Sequence, residues 1–183
     1  MRVYITSTGA SGTKFLARVV HGYTDHLGLH EPKSLRYPEH PKMMLINGRR
    51  KQRYQKLPGT HGVILRDPRQ VMLSWYNRKK ARMTTKYPPA LNQILLIIDQ
   101  HIQTGAEVIY FEDMVGNIDL LTAWLKRLGV TVTVPIPEFI MATKVNHNGR
   151  LSAASYEDLP EKFRTTMAEV CGWYIEKYFE SSQ

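Results

Sequence analysis

Three short apolar runs, each followed by a segment with helical periodicity, constrain the fold of this chain more than any other feature. The runs are Arg2–Thr6, Gly62–Arg66 and Val108–Phe111. They are apolar at successive positions, which is typical of strands covered by helices on both sides. Strands that alternate with helices predict an α/β domain, with a parallel sheet flanked by helices on both faces in a three-layer sandwich.

The remaining segments complete this pattern. Helices are predicted at 13–23, 68–82, 90–103, 118–128 and 160–179, and short strands at Leu27–His30 and Val130–Val134. The passage Glu31–Thr60 is rich in Pro, Lys and Arg and has no clear periodicity. We expect residues 1–183 to form a single domain that carries a basic, irregular insertion at 32–60, and a passage of this length favours a functional role.

Composition narrows the setting. Cys171 is the only cysteine among the 183 residues, so an internal disulfide is excluded and a buried thiol is expected. No targeting segment is recognised, and the most apolar window, Ile94–Ile98, is far shorter than the ~20 residues of a membrane helix. These features predict a soluble, cytoplasmic protein without membrane association.

Charge is distributed unevenly along the chain. The net charge is +9, and the stretch from Lys33 to Lys86 holds 15 Lys or Arg residues against two acidic ones, Glu39 and Asp67. The rest of the chain has 10 basic and 14 acidic residues. A region this cationic predicts an anionic ligand such as a phosphate, a sulfate, a nucleic acid or an acidic glycan.

The loop after the first strand has almost no side-chain bulk. Its residues from Gly9 to Thr13 are small, so backbone N–H groups can approach an oxyanion closely at the start of the next helix. Lys14 and the hydroxyls of Ser11 and Thr13 add donors. The composition is that of a phosphate cradle at the carboxyl end of a strand. It is not a Walker A loop, because the second glycine is followed by Thr13 and only then by the lysine.

The loop is more similar to the one found in sulfotransferases that use 3′-phosphoadenylyl sulfate (PAPS). In that family the first strand ends in a loop with an S-G-T core, matched here by Ser11-Gly12-Thr13, and Phe15 stands at the following aromatic or apolar site. The resemblance implies a P-loop NTPase-like fold and PAPS as cofactor. It also implies which residues hold the 5′-phosphosulfate end: Gly9, Ala10, Ser11, Gly12, Thr13, Lys14 and Phe15.

A second motif strengthens the resemblance. The stretch Val63–Tyr76 resembles the family's strand followed by R-[DN]-P-[RLY]-[DAE]-x-x-x-S-x-[YWH]. Arg66 ends the predicted strand, and Ser74 lies eight residues later on the predicted helix. A forked guanidinium and a hydroxyl on the same side suit a phosphate. The resemblance implies that both bind the 3′-phosphate of PAPS, a group that ATP lacks.

Two further segments follow the family pattern. Val108–Met114 and Trp124–Gly129 resemble its "L-x-Y-E-D-L … F-L-G" segment, for which we expect a structural role, so that the resemblance covers residues 3–129. Lys144–Arg150 is a polar loop at the place where the family often closes over the nucleotide.

The chain departs from the family where catalysis is concerned. Family members usually carry Lys or Arg just before S-G-T to stabilise the departing adenosine 3′,5′-bisphosphate, and Ala10 stands there instead. Lys14 is the nearest cation and the candidate substitute. Leu29-His30-Glu31-Pro32 resembles the "Y-E-P" segment of carbohydrate sulfotransferases, which makes Glu31 the predicted base and His30 its alternative.

Three functions remain open at this point. The first is a sulfotransferase that moves a sulfuryl group from PAPS to a hydroxyl or amine of a glycan-like or other polar acceptor, held with the help of the cationic stretch Lys42–Lys56. The second is a P-loop nucleotide kinase or NTPase that uses Lys14 with Mg²⁺. The third, less favoured, is a basic nucleic-acid-binding module. No metal site is predicted, since His61, His101 and His147 lack partners at ligand spacing.

Overall fold

A computed structural model describes residues 1–31, 41–47, 58–79, 84–141 and 155–180. Within these ranges, five strands form one parallel sheet in the order β2-β3-β1-β4-β5. The strands are β1 (Arg2–Ser7), β2 (Leu27–His30), β3 (Met43–Asn47), β4 (Thr60–Leu65) and β5 (Glu107–Tyr110). The predicted α/β fold with an all-parallel sheet is confirmed.

Helices cover both faces of the sheet. They are α1 (Thr13–Tyr23), α2 (Pro68–Lys79), α3 (Tyr87–Gln103), α4 (Phe111–Gly116), α5 (Ile118–Arg127), α6 (Glu138–Met141) and α7 (Glu161–Ile175), the last of which continues as a π-helical turn, Glu176–Glu180. One buried cluster joins the sheet to α1, α4 and α5, and a second joins it to α2, α3 and α7. The result is a three-layer arrangement. No helix in the described ranges is long and apolar enough to cross a membrane.

Several local predictions are confirmed. Helix α1 has the predicted bounds, and β2 is a true strand. Cys171 is fully buried on α7, and burial raises the pKa of its thiol to about 12, so it behaves as a small core residue. Gly129, with φ of 76°, follows α5 as expected for a residue that ends a helix.

The main error concerns the region predicted to be an irregular insertion. It contains β3, which pairs with β1 on one side and β2 on the other. Met43, Met44, Leu45 and Ile46 are all at most 1% exposed. The run Met43–Ile46 is apolar at successive positions, like the three predicted strands, but the surrounding Lys, Arg and Pro residues favoured an irregular basic passage. The parts of the insertion at 32–40 and 48–57 lie outside the described residues.

Three smaller corrections concern the bounds of individual elements. Helix α3 begins at Tyr87 rather than Ala90, because prolines are tolerated in the first turn. Phe111 opens α4 instead of ending β5. The predicted strand Val130–Val134 is reduced to a single bridge between Val132 and Thr24.

The strand order determines where a ligand can bind. The chain leaves β1 toward β2 and β3 on one side of the sheet, whereas it leaves β4 toward β5 on the other. Ligands of open parallel sheets bind outside the carboxyl ends of the strands at such a switch point. Ser7 pairs with Ile64, so the loop after β1 and Arg66, just after β4, leave the sheet side by side.

Candidate anion-binding site

The loop between β1 and α1, Thr8–Gly12, has a backbone that suits an anion. Ala10 and Gly12 both have φ of 68°, in the left-handed region. Gly12 is also the N-cap of α1, and no side chain of the described ranges caps the helix there. A Cβ at Gly12 would lie 2.7 Å from Met114 Cε and 2.9 Å from Phe111 Cε2, so this close approach requires glycine. The first N–H groups of α1 are therefore offered to the space beyond the loop.

Two of the predicted hydroxyl donors have partners within the protein. Ser11 is fully buried and its hydroxyl donates to the carbonyl oxygen of Thr8. Thr13 Oγ1 lies 3.0 Å from Nε2 of His30 at the end of β2. Ser11 therefore shapes the loop, while Thr13 connects the loop to the neighbouring candidate base.

The other predicted residues near the loop differ in what they can offer. Lys14 is exposed in the first turn of α1. Phe15 is only 4% exposed and packs in the core, so its backbone N–H is the only part of it that can face a ligand. Glu31 has an exposed side chain on a left-handed backbone, with φ of 46°. Of the two candidate bases, His30 is the one whose ring reaches the β1–α1 loop.

Arg66 lies directly against the β1–α1 loop. Its Nη1 donates to the carbonyl oxygen of Ala10, and its guanidinium carbon stands 4.2 Å from the centroid of the Phe111 ring. Burial lowers the pKa of Arg66, the charge of Glu112 opposes this shift, and the positive charge of Arg78 adds to it. The side chain is a partly desolvated cation fixed between the loop and an aromatic face.

Ser74 lies two turns into α2, as predicted, but its immediate neighbour is a second arginine. Arg78 Nη2 donates to Ser74 Oγ at 3.3 Å, and Arg78 Nε donates to the Ser74 carbonyl at 3.2 Å. Ser74 is half-buried and Arg78 is exposed. Ser74, predicted to act with Arg66, therefore also has the guanidinium of Arg78 beside it on α2.

Several buried polar atoms around the loop have no hydrogen-bond partner among the described residues. They are Ser7 Oγ, Thr8 Oγ1, Arg66 Nε and Trp75 Nε1. Trp75 packs beside the loop, since a Cβ at Gly9 would lie 3.1 Å from its Nε1. Buried polar groups are normally satisfied, and leaving one without a partner costs about 1–3 kcal/mol. Four of the eight buried atoms of this kind in the described residues lie around this loop, where a polar ligand could pair with them.

The carboxylate nearest the site in sequence is already engaged. Asp67 accepts hydrogen bonds from the backbone and the guanidinium of Arg69, at 2.7 Å to the backbone nitrogen and 2.7 Å to Nη2. Arg69 also reaches Glu180 at 3.0 Å. Asp67 thus holds the start of α2, and the charge of Arg66 is balanced mainly from Glu112.

Some predicted contributors lie elsewhere. Lys42 pairs with Asp25 at 2.5 Å, at the opposite end of β3 from the loop, so it does not extend the site. His61 and His101 stack on each other, with ring centroids 5.4 Å apart. Residues 48–56 of the cationic stretch, His147 and the loop Lys144–Arg150 lie outside the described residues. In the described ranges, no group of three or more His, Cys, Asp or Glu side chains is arranged to hold a metal.

Sequence reasoning missed three residues of this site. Trp75 was expected inside the domain, but not beside Gly9. Arg78 was counted only as part of the basic stretch, although its i, i+4 spacing from Ser74 places both on one helix face. Phe111 was assigned to β5, and it forms the aromatic surface under Arg66.

Comparison with known proteins adds no relative to these observations. Neither a family model, nor a curated protein, nor a solved structure matches this chain.

Proposed function

We propose that this chain is a PAPS-dependent sulfotransferase. The observation that carries the proposal is the contact between the loop after β1 and Arg66 after β4, joined by the hydrogen bond from Arg66 to the Ala10 carbonyl. The two sequence motifs that resemble the family thus meet at the carboxyl end of adjacent strands. A nucleotide with two anionic ends suits two neighbouring cationic places at one switch point.

Each end of the cofactor has its own set of groups. The loop amides and the N-terminus of α1 bind the 5′-phosphosulfate, because N–H groups and the helix dipole favour an anion there. Arg66 and Ser74 bind the 3′-phosphate with charge-assisted and hydroxyl hydrogen bonds. The orphaned donors near Gly9 fit a site that accepts oxyanions.

The transfer step follows from the chemistry of the donor. The acceptor's hydroxyl oxygen or amine nitrogen attacks the sulfur of PAPS and forms the new bond to it. The bond from sulfur to the bridging phosphate oxygen breaks, and its electron pair leaves with adenosine 3′,5′-bisphosphate. The acceptor's proton passes to His30 or Glu31. Lys14, four positions after Ala10, stabilises the charge that develops on the leaving phosphate.

The kinase or NTPase alternative lacks, among the described strands, one that ends in an aspartate for magnesium. The described strands end in Ser7, His30, Asn47, Leu65 and Tyr110, and none of these is an aspartate. Asp67, which follows β4, is held by Arg69 and the start of α2. The nucleic-acid alternative rests on basic residues that lie largely outside the described ranges, so it is kept as an outcome of the test.

Thermal unfolding with three ligands distinguishes the three functions. Adenosine 3′,5′-bisphosphate is expected to raise the melting temperature more than ATP with Mg²⁺ or a short single-stranded oligonucleotide, because only a ligand of the native state stabilises it. Arg66→Ala is expected to weaken bisphosphate binding about tenfold to a hundredfold, since charge-assisted bonds are lost. A larger shift with ATP and Mg²⁺, or with the oligonucleotide, would contradict the proposal.

A matched arginine variant controls for the loss of charge. Arg127 pairs with Glu107 at 2.7 Å at the amino end of β5, whereas the loop lies at the carboxyl ends of the parallel strands. Arg127→Gln removes one positive charge far from the site and is expected to leave the bisphosphate shift unchanged. For the transfer step, Lys14→Ala is expected to abolish release of adenosine 3′,5′-bisphosphate from PAPS with an added acceptor, while bisphosphate binding is retained in part.

A further inference from the structure

Arg78 is a feature of the site that neither sequence motif includes. It lies one turn after Ser74 on α2 and contacts both oxygen atoms of that residue, donating to Oγ at 3.3 Å and to the carbonyl at 3.2 Å. Its side chain is exposed, so the guanidinium is accessible to a ligand from solvent. A second cation therefore stands beside the serine that is proposed to bind the 3′-phosphate.

The direction of the hydrogen bond from Arg78 to Ser74 determines what the serine hydroxyl can still do. A hydroxyl has one proton to donate and two lone pairs to accept with. Arg78 cannot accept, so its Nη2 occupies a lone pair of Ser74 Oγ. The proton of Ser74 is then left to donate to another acceptor. Arg78 thus orients the serine as a donor, which is the role that an anion requires of it.

The charges point the same way. Arg66 and Arg78 are close enough for the charge of Arg78 to lower the pKa of Arg66, in addition to the larger effect of burial. The charges of Glu112 and, to a smaller extent, Asp67 act on the pKa of Arg66 in the opposite direction, and Asp67 is also bonded to Arg69. A second cation near Arg66 adds to the positive potential that an anion meets there.

We infer that Arg78 is a specificity-determining residue, which together with Arg66 and Ser74 selects nucleotides that carry a 3′-phosphate. This inference rests on the proposed function, since it assigns a further ligand to the same cofactor. Two guanidinium groups and one hydroxyl bind a phosphate dianion more tightly than a single arginine does. Nucleotides without the 3′-phosphate gain nothing from Arg78.

The test compares two nucleotides that differ only in that phosphate. Dissociation constants for adenosine 3′,5′-bisphosphate and adenosine 5′-monophosphate are measured by calorimetry on the full chain, for the wild type, Arg78→Gln, Arg78→Lys and the control Arg127→Gln. We expect Arg78→Gln to weaken bisphosphate binding about tenfold and to leave monophosphate binding within about twofold. Arg78→Lys should keep part of the preference for the bisphosphate over the monophosphate, and Arg127→Gln should keep all of this preference.

Melting curves without nucleotide establish that each variant folds. Equal weakening of both nucleotides by Arg78→Gln, or no weakening of either, would overturn the role of Arg78. If Arg66→Ala still removed the preference in that case, the proposed function would stand. A wild type that binds the two nucleotides equally would overturn both.

Discussion

Two polar clusters of this protein, one around Asp99 and one around the β1–α1 loop, differ in how completely their hydrogen bonds are made. Asp99 on α3 accepts from Gln103 at 2.7 Å, from Lys177 at 2.6 Å and from Tyr178 at 2.5 Å. Around the loop, by contrast, four buried polar atoms have no partner in the described part of the chain. Asp99 itself is buried while its partners Gln103 and Lys177 are exposed, whereas the four atoms around the loop are all buried.

The contrast separates polar groups that hold the fold from polar groups available to a ligand. The Asp99 cluster ties α3 to the C-terminal π-helical turn, and a satisfied network of this kind rigidifies the elements that it joins. The loop cluster is rich in donors, with arginine as its charged member. In the described residues, buried donors without a protein partner lie at the carboxyl ends of β1 and β4. The proposed function requires donors for a ligand at this place.

The largest expected effect comes from breaking the satisfied cluster. Asp99→Ala leaves Lys177, Tyr178 and Gln103 without their shared acceptor, and should lower the free energy of unfolding by about 2 kcal/mol. Urea unfolding measures this loss. Affinity for adenosine 3′,5′-bisphosphate should not change, since the cluster lies away from the loop. A parallel loss of nucleotide affinity would show that the two clusters are not separate.

The contribution of Asp99 to the free energy of unfolding depends in part on pH. Burial opposes ionisation of Asp99, but hydrogen bonds from Lys177 and Tyr178 outweigh it, so the pKa of Asp99 is lowered. A carboxyl group whose pKa in the folded protein is below its unfolded value of about 3.9 stabilises the fold above that pH. The stabilisation is lost as the pH falls through the folded value. The difference in unfolding free energy between the wild type and Asp99→Asn should therefore narrow from about pH 4 downward, and a constant difference would contradict this reasoning.

Two tryptophan variants compare an indole N–H that has a hydrogen-bond partner with one that has none in the described residues. Trp124 Nε1 donates to the Glu107 carbonyl at 3.1 Å, whereas Trp75 Nε1 has no partner among the described residues. Replacement by Phe removes similar volume from both sites, but only Trp124→Phe also breaks a hydrogen bond. Trp124→Phe should therefore be the more destabilising by about 1 kcal/mol in urea unfolding. Equal losses would mean that the indole of Trp75 is satisfied in solution.

The smallest expected difference concerns two threonines. Thr24 Oγ1 donates to the Val20 carbonyl at 2.7 Å and accepts from the His26 amide at 3.1 Å. Thr8 Oγ1 is buried without a partner in the described ranges. Thr24→Val should lower the free energy of unfolding by about 0.5–1 kcal/mol, while Thr8→Val should leave it unchanged or raise it slightly. Thermal melts of the two variants, recorded together, show which one is less stable. A larger loss of stability in Thr8→Val than in Thr24→Val would contradict this prediction.

Much of the fold could be predicted because local patterns and tertiary structure agree. Helix α1 shows apolar residues at helical spacing and buries that face, and β1 and β4 are apolar runs next to glycines. Strand β3 escaped prediction because its short apolar run lies between basic segments that obscure it. Its role depends on pairing with β1, which sequence periodicity does not encode.

The site could be predicted only in part for a similar reason. Motif spacing indicated the loop, Arg66 and Ser74, since strand ends and helix faces follow from the chain itself. The contact of Arg66 with the Ala10 carbonyl and the position of Trp75 beside Gly9 depend on how β1, β4 and α2 pack together. Phe15 shows the converse, because its place in the motif suggested a ligand contact while its place on α1 buries it.

The central claim is that one nucleotide is held at both ends, by the loop amides and by the arginines after β4 and on α2. A crystal structure of the chain with adenosine 3′,5′-bisphosphate tests it most directly. We predict the 5′-phosphate within hydrogen-bonding distance of the backbone N–H groups between Gly9 and Phe15, and the 3′-phosphate on Arg66, Ser74 and Arg78. A nucleotide bound elsewhere, or one that leaves Arg66 on the Ala10 carbonyl with no phosphate beside it, would contradict the account.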